Sequence, residues 1–412
     1  MPRRRSAKFV LAFCFAAWLA SPAPSFAAPD PAFTQWLAGL WPAAQSLGVS
    51  RQTFETAARG LEPDLSLQDL DLPGRAPPPG QPEFIQSPAD YVSEASISRL
   101  AEQGKWLAIE HRATLAGIER QFGVPANVVL AIWARETAYG TYKLPYNAVR
   151  VLATQAYIGK RKEKFREEFL LALKIIDEGH VKLADMKSSW AGAMGLTQFL
   201  PSEFYKYAVD FDGDGKRDIW TSVPDALASA AKQLAAKGWQ PGMRWAYEVR
   251  MPRSLDCTIG VPEVKKPMQE WIALGFIPAY GRKLGREEMA EEASLLLPEG
   301  TYGPAFLTTK NYFVLKEYNF SDLYVLFVGH LSDRISDPRP FETPWAKIPL
   351  LKTADVEKMQ RYLTGRGIYR EKIDGKAGML TRAALGQYQK ANGLALDCWP
   401  TASLLQHMRI AN

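Results

Sequence analysis

The stretch GVPANVVLAIWARETAYG (residues 123–140) carries one carboxylate at the end of an otherwise apolar helical stripe. Pro125 suits a first helical turn, where its missing N–H would be unpaired anyway. From there Val129, Ile132, Trp133 and Glu136 fall at i, i+3, i+4 and i+7 on one face. Burial on that face would desolvate the Glu136 carboxyl and favour its protonated form, the state a general acid needs. The competing reading is a glutamate at a frayed helix end, or one satisfied by a core partner. A second stretch, SSWAGAMGLTQFLPSEF (188–204), interleaves Ala191, Gly192, Ala193 and Gly195 with aromatic residues. Small residues let backbone approach a ligand closely. Gln198 would then read a polar group and Phe199 offer a flat face; tight packing around a turn explains the same residues equally well.

A third stretch, DFDGDGKRDIW (210–220), has the alternation of a calcium loop. Asp210, Asp212 and Asp214 take positions 1, 3 and 5, Gly215 takes position 6 and Lys216 would add its carbonyl at position 7. Position 12 is Thr221 instead of glutamate, and the next carboxylate is Asp225, so the ligating segment must be longer than the standard loop. Sensor loops open paired helices, and this loop has no pair in the sequence. The expectation is a structural calcium site, with a plain acidic turn as its alternative.

The elements that must position these groups read as mainly helical. Helical patterning covers 33–60, 93–122, 163–178, 224–237 and 322–335. Between 241 and 315, Pro and Gly recur around short runs such as WAYEVRM and NYFVLKEY, which predicts a small strand-containing region. PGRAPPPGQP (73–82) should run extended. DPRPFETPWAKIP (337–349), with four prolines in thirteen residues, reads as a linker. Three short helical patterns follow it, at 354–364, 380–391 and 400–409.

The chain opens with a basic head (Arg3, Arg4, Arg5, Lys8), an apolar run from Phe9 to Ala20 and a cleavage signal after Ala27. Residues 1–27 therefore read as a secretory signal peptide. Nothing lipobox-like surrounds Cys14, and no later stretch reaches the roughly 18 apolar residues of a membrane span. Cleavage would remove four positive charges and reduce the formal +6 to +2. That balance argues against nucleic acid as a partner. The basic run KRKEKFR (160–166) reads as a solvated helix face, contact with an anionic polymer being the alternative. Export permits a disulfide between Cys257 and Cys398, but the sequence does not show that they meet across what read as two domains.

WARETAYG followed by SSWAGAMGLTQFLPSEFYKYAVDFDGDGKRDIW resembles the catalytic domain of the B-type lytic murein transglycosylases, over about Phe33 to Ile335. The resemblance implies a mainly α, lysozyme-like α+β core with accessory helical and small strand-containing regions. It also implies an exported, periplasmic enzyme that acts on peptidoglycan glycan strands and needs no cofactor for its chemistry. Glu136 would be the sole acid/base, cleaving the β-1,4 bond between N-acetylmuramic acid and N-acetylglucosamine and leaving a 1,6-anhydro ring. Ser189, Gln198 and Phe199 would line the groove, together with Tyr312, Phe313, Tyr318 and Asn319 of the late aromatic segment. The order Tyr312-Phe313 and the pair Lys232-Gln233 depart from the family pattern. One enlarged calcium loop, mapped to Asp210, Asp212, Asp214, Lys216 and Asp225, belongs to the same resemblance.

VEKMQRYLTGRGIYREKIDGKAGMLTRAALGQYQKANGL resembles a small three-helix peptidoglycan-binding domain, with Cys398 replacing a family glycine. The implied organisation is a catalytic domain at 28–336, a linker at 337–349 and a wall-binding domain at 350–412. Two alternatives stay open: a hydrolytic muramidase and a non-catalytic wall-binding scaffold. Partners in cell-wall synthesis or secretion machinery are left open as well.

Overall fold

Residues 30–74 and 86–408 are described in the computed structural model; the expected signal peptide and most of the proline-rich break lie outside them. The chain begins with α1 (Pro31–Ala38), α2 (Trp41–Ser46) and α3 (Arg51–Ala58). It continues through α4 (Pro88–Tyr91), α5 (Glu94–Glu110), α6 (Arg112–Phe122) and α7 (Ala126–Thr137). The periodic run at 93–122 is thus two helices, broken at His111. A two-stranded ladder pairs β1 (Tyr146–Asn147) with β2 (Lys187–Ser188) and brackets α8 (Ala148–Ile158) and α9 (Lys162–Asp177). Then come α10 (Pro201–Tyr207) and α11 (Val223–Ala236).

The centre of the molecule is α7. Val128 to Ala134 are buried without a break, so the helix is enclosed on all sides, beyond the single stripe its periodicity implies. Its neighbours are α5, α6, α11 and α15 (Asp322–Ser336). A second apolar cluster joins α1 to α3 with α8 and α9.

Residues 241–308 form the expected strand-containing region. The strands are β3 (Ala246–Arg250), β4 (Lys265–Pro267), β5 (Ile277–Pro278), β6 (Glu292–Leu296), β7 (Pro298–Thr301) and β8 (Ala305–Thr308), with short helices α12 (Met268–Ala273) and α13 (Arg286–Ala290) between them. Five of them make an antiparallel sheet in the order β4-β6-β8-β3-β5. The run WAYEVRM supplies β3 as predicted. NYFVLKEY does not form a strand; it is helix α14 (Lys310–Tyr318). Thr309 caps that helix by accepting from the Asn311 amide, and the Asn311 side chain, fully buried, donates to the carbonyls of Gln240 and Met243. These capping and long-range contacts outweigh the β preference of the aromatic residues.

The tail folds as α16 (Thr353–Gly365), α17 (Met379–Ala391) and α18 (Ala402–His407) around a small apolar core. It is seated on the body. Cys257 and Cys398 form a disulfide across a sequence separation of 141 residues. Beside it the Thr301 amide donates to the Asp397 carbonyl at 3.0 Å, and Lys390 pairs with Asp256 at 2.6 Å. Gly300 and Gly386 permit this approach: a Cβ on either would sit 2.1 Å from the Asp397 carbonyl or 2.2 Å from the Cys398 sulfur. Cys398 itself has left-handed backbone (φ 52°), a conformation that glycine adopts most readily. The segment 337–349 also lies along the body, with Phe341 stacked on His330 and the Ala346 amide bonded to the Tyr302 carbonyl. Among the described residues no helix is long and apolar enough to cross a membrane.

Candidate active site

Helix α7 ends one residue after Glu136. Thr137 is its last residue, and Ala138, Tyr139 and Gly140 all adopt left-handed backbone. Two consecutive non-glycine residues in that region are costly and persist only where surroundings enforce them. Here the enforcement is visible. The Ala138 amide bonds back to Ala134, and the Tyr139 hydroxyl donates to the Leu100 carbonyl at 2.9 Å. The Thr137 hydroxyl donates to the Leu196 carbonyl at 2.8 Å, which binds the helix end to the small-residue strip.

The Tyr324 hydroxyl, on α15, donates to Glu136 Oε1 at 2.5 Å. Tyr324 is almost fully buried, and burial together with the Glu136 charge holds its phenol well above the ordinary tyrosine range. It therefore remains a donor through neutral pH. The Tyr318 ring stacks parallel on Tyr324 at 6.3 Å, and the Tyr318 hydroxyl donates to the Thr197 carbonyl at 2.6 Å. Burial, and then the charges of Glu136 and Glu203, raise the Tyr318 phenol in the same way. Glu136, Tyr324, Tyr318 and the backbone at 196–198 thus form one assembly. Tyr324 was not singled out from the sequence. Its signal is slight: the third residue of a helix whose Ser321 cap is legible, with nothing local to show that it faces Glu136.

Gly195 fixes the strip at its turn, since a Cβ there would lie 2.6 Å from the Ile219 carbonyl. Ser189 and Gln198 are partly exposed beside it. The Ser189 hydroxyl oxygen accepts from the Ala193 amide at 3.2 Å, and the Gln198 amide nitrogen donates to the Gly195 carbonyl at 3.0 Å. Gln198 has a left-handed φ of 58°. Asn319 accepts from the Ser321 amide at 3.0 Å and so shapes the turn between Tyr318 and Tyr324.

Three groove expectations need correction. Phe199 is 1% exposed and packs on Tyr207 and Tyr318, so it offers no face to a ligand and instead backs the Tyr318 ring. Tyr312 is fully buried, its hydroxyl donated to Asp322 at 2.7 Å. Phe313 meets Tyr312 edge-on and carries the Lys265 ammonium over its ring, which places it on the sheet side of α14. The aromatic segment therefore sends only Tyr318 to Glu136.

A further carboxylate near this site is Glu203, whose charge reaches Tyr318. It accepts from the Leu200 amide at 3.0 Å at the start of α10, and burial pushes its carboxyl up. That is a capping role. A separate cleft of about 730 Å³ lies under the 340–349 segment and is lined by Asp90, His330 and Glu299; burial and the Asp90 charge push the Glu299 carboxyl up to about 7.

In the aspartate loop, carboxylate oxygens of Asp210, Asp212 and Asp214 lie within 4.8 Å of one another, and all three residues are exposed. Gly213 and Gly215 take the left-handed turns. Hard oxygen donors so grouped fit a calcium ion. Asp225 does not join them. It is fully buried, and its two oxygens accept from the amides of Phe211 (2.8 Å), Asp212 (3.3 Å) and Asp218 (2.8 Å). The expected ligand is thus the loop's internal clasp to α11. The Lys216 amide donates to Asp214 at 2.8 Å. The basic run at 160–166 is partly paired, Lys160 and Arg161 with Asp69 and Arg166 with Glu163.

Comparison with known proteins places this geometry. A family described as "Transglycosylase SLT domain" matches residues 32–333, and one described as "Putative peptidoglycan binding domain" matches 352–408. The chain is 30% identical over 300 residues to the membrane-bound lytic murein transglycosylase B of Escherichia coli (strain K12), covering 70% of this chain and 79% of that one. The structure of SltB3 from Pseudomonas aeruginosa, solved with NAG-NAM-pentapeptide, superposes with a TM-score of 0.84 at 38% identity, covering 92% of this chain and 99% of the other. Soluble lytic transglycosylase SltB1 from the same species gives 0.59 at 25% identity, over 75% and 99% of the two chains.

Proposed function

The chain belongs to the lytic murein transglycosylase family, and from that premise we propose that it cuts the β-1,4 bond between N-acetylmuramic acid and N-acetylglucosamine without using water. The observation that carries the reading is the Tyr324 hydrogen bond to Glu136 at the end of the enclosed helix α7. Glycosidases that use two carboxylates set them roughly 5–5.5 Å apart when retaining and roughly 6.5–9.5 Å apart when inverting. Here Glu203 is engaged as a cap and the loop aspartates are grouped elsewhere, so one carboxyl serves both proton transfers.

Protonated Glu136 gives its proton to the departing O4 of N-acetylglucosamine as the C1–O4 bond breaks. The resulting carboxylate takes the proton of the muramic C6 hydroxyl as that oxygen bonds to C1. The products are a free 4-hydroxyl and a 1,6-anhydro ring, with every atom of the substrate retained. Intramolecular attack gains from proximity. Tyr324 orients the carboxyl plane and stabilises its ionised form between the two transfers. A structure of SltB3 holds NAG-anhNAM-pentapeptide, a ligand of the product type this route would give.

Calcium bound by Asp210, Asp212 and Asp214 would stabilise the loop that follows the groove strip and take no part in proton transfer. The catalytic body at 28–336 and wall-binding unit at 350–412 are proposed to act on the cell wall after export by the segment 1–27. The direct test is E136Q on purified sacculi. General acid–base catalysis is worth about 10²–10⁴-fold, and both proton transfers would fail together. A folded E136Q with half of wild-type turnover would remove Glu136 from the mechanism.

A further inference from the structure

Asp322, the first residue of α15, lies two positions before Tyr324. Its carboxylate collects donors from two separate parts of the chain. The Tyr312 hydroxyl reaches it at 2.7 Å and the Lys316 ammonium at 2.6 Å, both from α14. The third donor is the Arg382 guanidinium at 3.4 Å, from helix α17 of the tail. Arg382 is 6% exposed, and its other terminal nitrogen donates to the Ala377 carbonyl at 2.7 Å. Burial alone would push the Asp322 carboxyl up; Lys316 and Arg382 hold it below the usual range. A buried guanidinium is expensive to desolvate, and removing one partner of a buried pair leaves the other charge uncompensated. This one ends at the turn that sets the Tyr324 hydroxyl against Glu136.

The tail does not need this contact to stay seated. The disulfide, the Lys390–Asp256 pair and the Thr301–Asp397 backbone bond hold it at the other end of α17. Removing the guanidinium therefore loosens the first turn of α15 while leaving the tail attached.

We propose that Arg382 is a positioning residue for glycan cleavage: the tail-borne guanidinium completes the charge cluster at Asp322 and thereby holds Tyr324, and through it Glu136, in working geometry. The inference rests on the assignment of Glu136 as acid/base. It makes the tail part of the catalytic apparatus as well as a contact to the wall.

The test uses the full-length mature chain, short soluble glycan strands for kinetics and insoluble peptidoglycan for sedimentation. In R382M, kcat is expected to fall about tenfold, as small displacements of catalytic groups produce. KM should stay within about twofold and sedimentation should be unchanged, marking a loss confined to the transition state. R382K, which keeps the charge but has one donor head in place of a fork, is expected to recover part of kcat. A folded R382M with wild-type kcat would overturn the proposal. Should R382M fail to fold, R382K decides alone: reduced kcat at unchanged KM supports the proposal, and wild-type kcat overturns it. E136Q, run alongside, separates the two claims. An active E136Q rejects the acid/base assignment, whereas an inactive E136Q with wild-type R382M rejects only the tail's part.

Discussion

The helix end at Glu136 and the aspartate loop at 210–225 hold carboxylates by opposite means. In the loop the partners are local: Asp210 accepts from the amides of Gly213, Asp214 and Gly215, and Asp225 from amides at most fourteen residues away. At Glu136 one partner is Tyr324, 188 residues later, held by a tyrosine stack and a cluster that ends in the tail. A locally built site is written in the spacing of its residues. A site assembled from distant elements appears in the sequence only as an unexplained polar residue on an apolar face.

The comparison predicts different losses for the two regions. Y324F should fold normally and lose about 10–100-fold in kcat, as expected for a hydrogen bond to a charged group worth about 1.5–3 kcal/mol. Near-wild-type kcat with soluble glycan would make the tyrosine a packing residue. In the loop the loss should be in stability. D225A deprives three amide N–H groups of their acceptor in a buried setting and should cost about 3 kcal/mol in urea unfolding, with kcat little changed in the folded fraction. An unfolding midpoint equal to wild type would show that the clasp is dispensable.

A third measurement separates clasp from metal site within the loop. Calcium should raise Tm of the metal-stripped protein, and a ligand at a hundredfold excess over Kd stabilises by about 2.7 kcal/mol. D210A should lose most of that rise because Asp210 is one of the three clustered carboxylates. D225A, although less stable, should keep it. Identical melting curves with and without calcium would leave the loop as a self-capped acidic turn.

How much was legible follows the same division. The helical layout was readable because apolar periodicity and caps are local, and α7, α9, α11 and α15 fall where the pattern puts them. Asp210, Asp212 and Asp214 were readable from alternation. Asp225 reads as a calcium ligand in the sequence and not as the loop's clasp, because only the fold shows which amides its carboxylate meets. The resemblance maps Tyr312 and Phe313 to the groove, and the small-residue strip maps Phe199 there; aromatic type does not reveal whether a ring lies inside or outside. The seating of the tail was also hidden. Four prolines mark a boundary but do not show that Phe341 and Ala346 anchor that segment to the body, or that Cys398 joins Cys257.

The central claim is that a single carboxyl, held by Tyr324, closes an anhydro ring and excludes water from the bond it breaks. Mass analysis of the fragments released from sacculi by the mature enzyme in ¹⁸O-labelled water tests it directly. The account predicts muramic ends lighter by one water than the reducing form, with no ¹⁸O incorporated. Reducing ends that carry ¹⁸O as the main product would contradict it and make the enzyme a hydrolase.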